Sequence, residues 1–429
     1  MSPPRSAVVV GAGVAGLCCA YYLRKRDLDV VVVEANRVGS GASSGNGGWV
    51  CPAQAGPLPE PGLTLFGLRS LFNADSPLYF KPGNWIELAP WLLRFWTYCT
   101  ESDYRHGVEA IAALGRGVFD LIDEMAADGV EFEQHRFGMI VAARRDDDAR
   151  AELAKLAPMR AHGYELPDEI TTGAELHELE PALSAEVNAG FLVREHWHVR
   201  PESFTAGLAA ALRRMGVEIV EGAEVVDFEG SGRSVTGLRT SAGTRSADAV
   251  VLAAGAWTRP LAKMLGVSFP MQGGKGYSFF VTPNVVPRHS VLLADVHVGC
   301  TPFGELMRIG GTMEFSGLNT RLDHRRIDAI VKGARSSFLP WEGEAIDYWA
   351  GMRPITPDGL PVLDRAAPYE NVFVATGYAM QGVTLAPPAG LALAEFIATG
   401  RRPELLEPFG LARLQGRTWP RSHRSNGRG

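Results

Sequence analysis

The run Val8-Val9-Val10 passes directly into Gly11-Ala12-Gly13-Val14-Ala15-Gly16. A helical stretch to about Lys25 follows, and then a second β-branched strand, Val30 to Val33. Strand, glycine turn, helix and strand make a βαβ unit, which requires a parallel sheet with a right-handed crossover. The three glycines have separate jobs. Gly11 permits the tight turn, Gly13 lets the backbone approach a pyrophosphate, and Gly16 allows the helix to pack closely on the strand. The helix N-terminus adds N–H donors and positive potential. Glu34, at the end of the second strand, is placed to accept bonds from ribose hydroxyls. The unit therefore predicts a bound dinucleotide.

A chain of 429 residues is too long for one ordinary domain, and 46% hydrophobic with 21% charged residues is the profile of a folded protein. The net charge of −6 argues against a nucleic-acid partner. Cys18, Cys19, Cys51, Cys99 and Cys300 show neither disulfide nor zinc spacing, which fits a reducing, cytoplasmic setting. The N-terminus carries no secretory pattern, and no run is long and apolar enough to read as a membrane span. Trp91-Leu92-Leu93-Arg94-Phe95-Trp96 is the most lipid-compatible piece, so membrane contact is expected to be peripheral at most. The basic stretch 416–429 reads as a disordered tail.

Further along, Pro52 to Pro82 is irregular and proline-rich. Helical spacing runs from Val108 to Met125 and from Ser203 to Met215, with strands at Phe137–Ala143, Val217–Val220 and Ala249–Ala253. Hairpins are expected over Glu229–Thr244, strands from Met271 to Thr312, and a strand-turn-helix from Val372 to Thr399. Dinucleotide-type elements thus recur at the start, near 200–260 and near 350–410. The expected architecture is α/β plus α+β, with two interleaved domains: 1–55, 199–262 and 350–412 for the cofactor, 56–198 and 263–349 for the substrate.

After Glu34 the chain continues Arg37-Val38-Gly39-Ser40-Gly41-Ala42-Ser43-Ser44-Gly45-Asn46-Gly47-Gly48. A nicotinamide enzyme would carry another βα unit here. A glycine-serine loop can instead track a pyrophosphate and a flavin ring, with Ser43 and Ser44 as hydroxyl donors. Val251 to Trp257 is a buried strand ending in small residues around Gly255. Val372 to Thr384 offers a glycine loop before a helix, whose N–H groups can stabilise charge at the flavin pyrimidine end. The cofactor contacts expected are Gly11, Gly13, Gly16, Glu34, Arg37, Ser43, Ser44, Asn46, Gly47, Val225, Gly255, Gly377, Gln381, Gly382 and Thr384.

Together with Gly276-Tyr277-Ser278, Arg308-Ile309-Gly310-Gly311, Gly351-Met352-Arg353-Pro354-Ile355-Thr356-Pro357-Asp358-Gly359 and Thr376-Gly377-Tyr378, these motifs resemble the D-amino acid oxidase-type flavoprotein superfamily, especially bacterial D-amino acid dehydrogenases. The likeness runs in order from about residue 7 to 400. It implies a Rossmann-type FAD domain interleaved with an antiparallel-sheet substrate domain, and oxidation of a D-amino acid with electrons passed to a quinone or to oxygen. It also implies Arg353 as the carboxylate-binding arginine, a role that suits a planar guanidinium, with Tyr277 beside it, Arg308 as a second contact and Lys275 near the flavin. No side-chain base is evident, and none is needed if the amine binds neutral. With no Cys or His in the glycine loops, FAD is expected to be non-covalent. Tyr378 stands where relatives often carry His. An oxidase of glycine, sarcosine or proline, and a flavin-binding partner without turnover, are the rival readings. His196 and His198 lack a third metal ligand, so no metal is expected.

Overall fold

The computed structural model describes residues 3–63, 76–81 and 85–415. The basic tail and much of the proline-rich stretch lie outside them. A six-stranded sheet is ordered Glu218–Val220, Asp29–Val33, Ser6–Val10, Ala249–Leu252, Val372–Thr376, Val362–Arg365. Its first five strands are parallel and the last is antiparallel. The expected βαβ unit is present, with the helix at Val14–Arg24. Ser6–Val10 is flanked on one side by the strand that follows it and on the other by a strand from much later in the chain. The connections diverge there, and a crevice opens beyond the carboxyl ends of the strands.

Close helix packing closes one face of this sheet. Gly382–Thr399 lies against Val14–Arg24, and a Cβ on Gly390 would fall 2.8 Å from the Cys18 carbonyl carbon. Gly382–Thr399 is long and apolar enough to cross a membrane. It is instead buried in the core, where its Ala, Leu and Phe side chains pack with Leu17, Tyr21 and Leu114.

A second, mainly antiparallel sheet is ordered Ile346–Ile355, Gln272–Val281, Leu306–Phe315, Val298–Phe303, Ser290–Leu293, Met139–Ala143, Ala189–Val193, Thr171–Thr172, with Leu78–Phe80 beside Leu306–Phe315. The sequence placed a domain boundary at 350. That point falls inside Ile346–Ile355, which pairs along its length with Gln272–Val281, so Arg353 belongs to the second sheet. The expected helix from Val108 to Met125 is two helices, Glu101–Gly115 and Val118–Ala127. Gly117, with φ +76°, makes the break. The apolar period continues across the break, which is why spacing alone did not reveal it.

One irregularity bears on the site. Lys275 pairs with Glu314 but Tyr277 pairs with Gly311, so Leu306–Phe315 carries a bulge at Thr312-Met313. Thr312 sits at φ +62°, a strained conformation for a β-branched residue.

Candidate active site

The two sheets enclose a cavity of about 1330 Å³. At one end, Gly11 N donates to Val33 O and Ala253 N to Val10 O, drawing three strand ends together. A Cβ on Gly11 would lie 2.6 Å from Ala253 O, so only glycine fits that turn. Gly13 is the N-cap of the first helix and has no side chain to cap it. Ser43, from the second glycine loop, accepts from Val14 N at 2.9 Å instead. Glu34 accepts from Ala12 N at 2.8 Å and from Asn36 N at 2.9 Å, which places the ribose acid against the pyrophosphate turn.

Gly11, Gly13, Glu34, Arg37, Ser43, Asn46, Gly47, Val225, Gly255, Gln381 and Gly382 all line the cavity. Gly16, Ser44, Gly377 and Thr384 are not among its walls. A Cβ on Gly16 would overlap the Gly11 carbonyl oxygen, so that residue acts through packing. Gly377 holds a turn at φ +83°. The Thr384 hydroxyl donates to Trp49 O and accepts from Cys51 N, tying the helix start to the loop. Ser44 only closes a turn, its N–H donating to Gly41 O. Asn46 shapes the loop as well as lining it: its amide donates to Ala42 O and its oxygen accepts from Gly48 N. A bare glycine trench, a helix N-terminus and an acid at the ribose position together fit FAD.

The far wall is the second sheet. Gly274, Gly276 and Gly351 leave one face without side chains of its own, and Arg353, paired with Gly274, and Trp349, paired with Ser278, lie across it. A Cβ on Gly276 would overlap the Arg353 guanidinium, and one on Gly351 would overlap the Trp349 ring. Arg353 Nη1 donates to Thr312 O at 2.8 Å and lies 3.9 Å from Met313 Sδ. The bulge turns the Thr312 carbonyl to that position, and the Thr312 hydroxyl is held in turn by Arg326 and donates to Pro77 O. Burial pushes Arg353 down to about 10, and no charged neighbour among the described residues acts on it. It remains cationic at neutral pH. A buried cation without a counter-ion is costly, and an arriving carboxylate would relieve that cost with a bidentate pair.

The other two expected catalytic residues also line the cavity, but their polar ends are engaged. Tyr277 falls on the opposite face of its strand from Gly276 and Arg353, and its hydroxyl donates to Glu314 at 2.6 Å. Glu314 also takes Lys275 at 3.0 Å, so neither Lys275 nor the Tyr277 hydroxyl reaches the flavin side. Adjacent positions on a strand face opposite ways, which a motif read as a string does not separate. Arg308 does line the cavity but is committed: Nη2 bonds Glu202 at 2.6 Å, Nη1 donates to Asn46 O at 2.9 Å, and the guanidinium lies 4.4 Å from the Phe280 ring centre. It anchors the glycine loop.

Residues missed by the sequence reading include Trp49, Trp349, Thr312 and the aromatic wall around Trp91. The glycines at 274 and 276 carried a signal, because glycine inside a strand often marks a close approach, here by Met313 and the Arg353 guanidinium. His198 faces Ser290 and the Pro302 carbonyl at 2.8 and 2.9 Å, and no group of three or more metal-ligating side chains exists among the described residues.

A dinucleotide cradle facing a sheet that carries an arginine with no acidic partner among the described residues defines a flavin-dependent oxidoreductase site. The model of the FAD dependent oxidoreductase family matches residues 6–396, and the chain belongs to that family. FAD is its cofactor. A D-amino acid dehydrogenase from Rhizorhabdus wittichii is 31% identical over 408 residues, covering 93% of this chain and 97% of the relative. One from Helicobacter pylori is 28% identical over 398 residues, covering 92% and 95%. Among solved structures, glycine oxidase from Geobacillus kaustophilus superposes with a TM-score of 0.74 at 23% identity, covering 96% of this chain and 99% of that one. L-proline dehydrogenase from P. horikoshii gives 0.71 at 20%, covering 96% and 98%. These structures share the fold.

Proposed function

We propose that the protein oxidises the amine of a D-amino acid, giving an imine that water converts to a 2-oxo acid and ammonia, with electrons delivered to a quinone-type acceptor. The observation that carries this is Arg353: a cation with no acidic partner among the described residues, on the cavity wall, able to grip an α-carboxylate. FAD, when bound, supplies the hydride acceptor. Arg353 fixes the carboxylate, and Gly274 and Gly276 leave the room that Met313 and the Arg353 guanidinium occupy. The Thr312 carbonyl fixes the arginine. The substrate amine enters neutral, so its lone pair forms the C=N bond as the hydride leaves Cα, and the spare proton passes to solvent. Trp49 and Trp349 line the same cavity and keep water from the reacting face.

The relatives named D-amino acid dehydrogenase support the D-configuration and a non-oxygen acceptor. The test is anaerobic mixing of the FAD-loaded protein with D- and L-amino acids, followed by reoxidation with a quinone or with oxygen. Bleaching by D-isomers and fast reoxidation by quinone are expected. Stoichiometric peroxide from oxygen at the same rate would instead favour the oxidase reading, for which the glycine oxidase fold is the supporting observation.

A further inference from the structure

Resting on that reading, we infer that the preferred substrate carries a large apolar side chain, aromatic or branched, rather than a small or polar one. Glu314 points to the far face of its strand, so its neighbours Met313 and Phe315 point to the Arg353 face. From Met313, at 3.9 Å from the guanidinium, the wall continues as an unbroken aromatic group. Phe315 stacks on Phe80 with centroids 5.5 Å apart at 9°, and packs against Trp91 at 5.4 Å. Trp91 stacks on Phe95 at 5.1 Å. These rings and Trp96 line the same cavity as Arg353.

The Trp91 indole N–H is buried, shielded from the cavity and without a partner among the described residues, so this wall presents ring faces to the cavity. The acids Glu60 and Glu152, which also line the cavity, are both engaged by Lys155, at 3.5 and 2.8 Å. An amino acid held at Arg353 therefore places its side chain beside apolar surface. A carboxylate or amide there would be desolvated without compensation, and a methyl group would leave most of the wall unfilled.

The experiment uses the FAD-loaded full chain, mixed anaerobically with both enantiomers of phenylalanine, leucine, alanine and aspartate, and with glycine. The flavin bleaching rate is read as kcat/KM. In the reactive enantiomer, phenylalanine or leucine is expected to exceed alanine by at least about tenfold, with aspartate slower still. A Trp91→Ala variant should lower the phenylalanine-to-alanine ratio, and the wild-type panel stands alone if that variant does not fold. Alanine, glycine or aspartate reacting as fast as phenylalanine would overturn the inference and leave amine oxidation intact. No bleaching by any amino acid would remove both.

Discussion

At the residue scale the account turns on two arginines with opposite fates. Arg308 and Arg353 both stand in the cavity wall, Arg308 buried and Arg353 partly buried, but Arg308 has Glu202 and Arg353 has no acid among the described residues. Arg353→Lys keeps the charge and loses the planar fork, so FAD retention should be normal while kcat/KM falls by about two orders of magnitude. Steady-state kinetics on flavin-saturated protein checks this. Binding of a carboxylate that lacks an amine, such as benzoate, isolates the charge. Burial lowers Arg353 to about 10, so its cation is present below that value and lost above it. The Kd read from the flavin spectrum should stay flat from neutral pH and rise once pH passes about 10. A Kd that weakens below pH 8 would point to another group.

Lys275 and Glu314, each 3% exposed, form a pair that the mechanism does not use. Burial alone would raise Glu314, but hydrogen bonds from Ser316, Tyr277 and Lys275, with the Lys275 charge, hold it below the usual carboxylate range. Its contribution is present above the unfolded value, about 4.3, and is lost as pH falls through the lower folded value. Lys275→Met strands the carboxylate and should destabilise by about 3–5 kcal/mol in denaturant unfolding. The residual folded enzyme should react at close to the normal rate. A large kinetic defect with unchanged stability would restore Lys275 to the flavin side.

At the element scale, the strand Gln272–Val281 turns Gly274 and Gly276 toward Met313 and the Arg353 guanidinium, directs the Lys275 amine and Tyr277 hydroxyl to Glu314, and lines the cavity at Tyr277 and Ser278. Gly276 is not in a left-handed conformation, and the nearest atoms a Cβ would meet are those of the Arg353 guanidinium. Gly276→Ala should therefore shift stability by less than about 1 kcal/mol and leave FAD bound, since a flexible side-chain end can yield. It should cost about 10²-fold in kcat/KM by displacing that end. Loss of folding instead would mean the strand lies closer to its neighbours than described.

The same strand shows what was legible beforehand. The βαβ unit, its glycine turn and Glu34 were readable because local steric rules assign each residue a place. Arg353, named from a motif, lines the cavity. That the Tyr277 hydroxyl and Lys275 amine are taken up by Glu314 was not legible, because strand phase is set by pairing with distant segments, and a bulge at Thr312 shifts that pairing again. The aromatic wall was invisible for a related reason: Phe80, Trp91 and Phe315 meet only after three separate segments have folded.

At the scale of the whole molecule, the glycine loop after Glu34 bridges the two sheets. Gly45 N donates to Glu202, Gly45 O accepts from Ser278, and Asn46 O accepts from Arg308. Glu202 is not among the cavity walls, yet it holds Arg308 and the loop together. Glu202→Ala leaves Arg308 buried with only a backbone carbonyl and should cost about 3 kcal/mol of stability. It should also weaken FAD affinity, so the variant's Tm should depend more steeply on added FAD than that of the wild type. Equal Tm at all FAD concentrations would show that the loop is held without this pair.

The most direct test of the central claim compares an amino acid with its carboxamide, under anaerobic conditions, on the FAD-loaded protein. Both offer the same Cα–H and amine, and only the acid can form the ion pair with Arg353. The account predicts that the D-amino acid bleaches the flavin and that the amide does so at least about 10²-fold more slowly, a gap that closes in Arg353→Ala. Equal bleaching by acid and amide in the wild-type protein would contradict it.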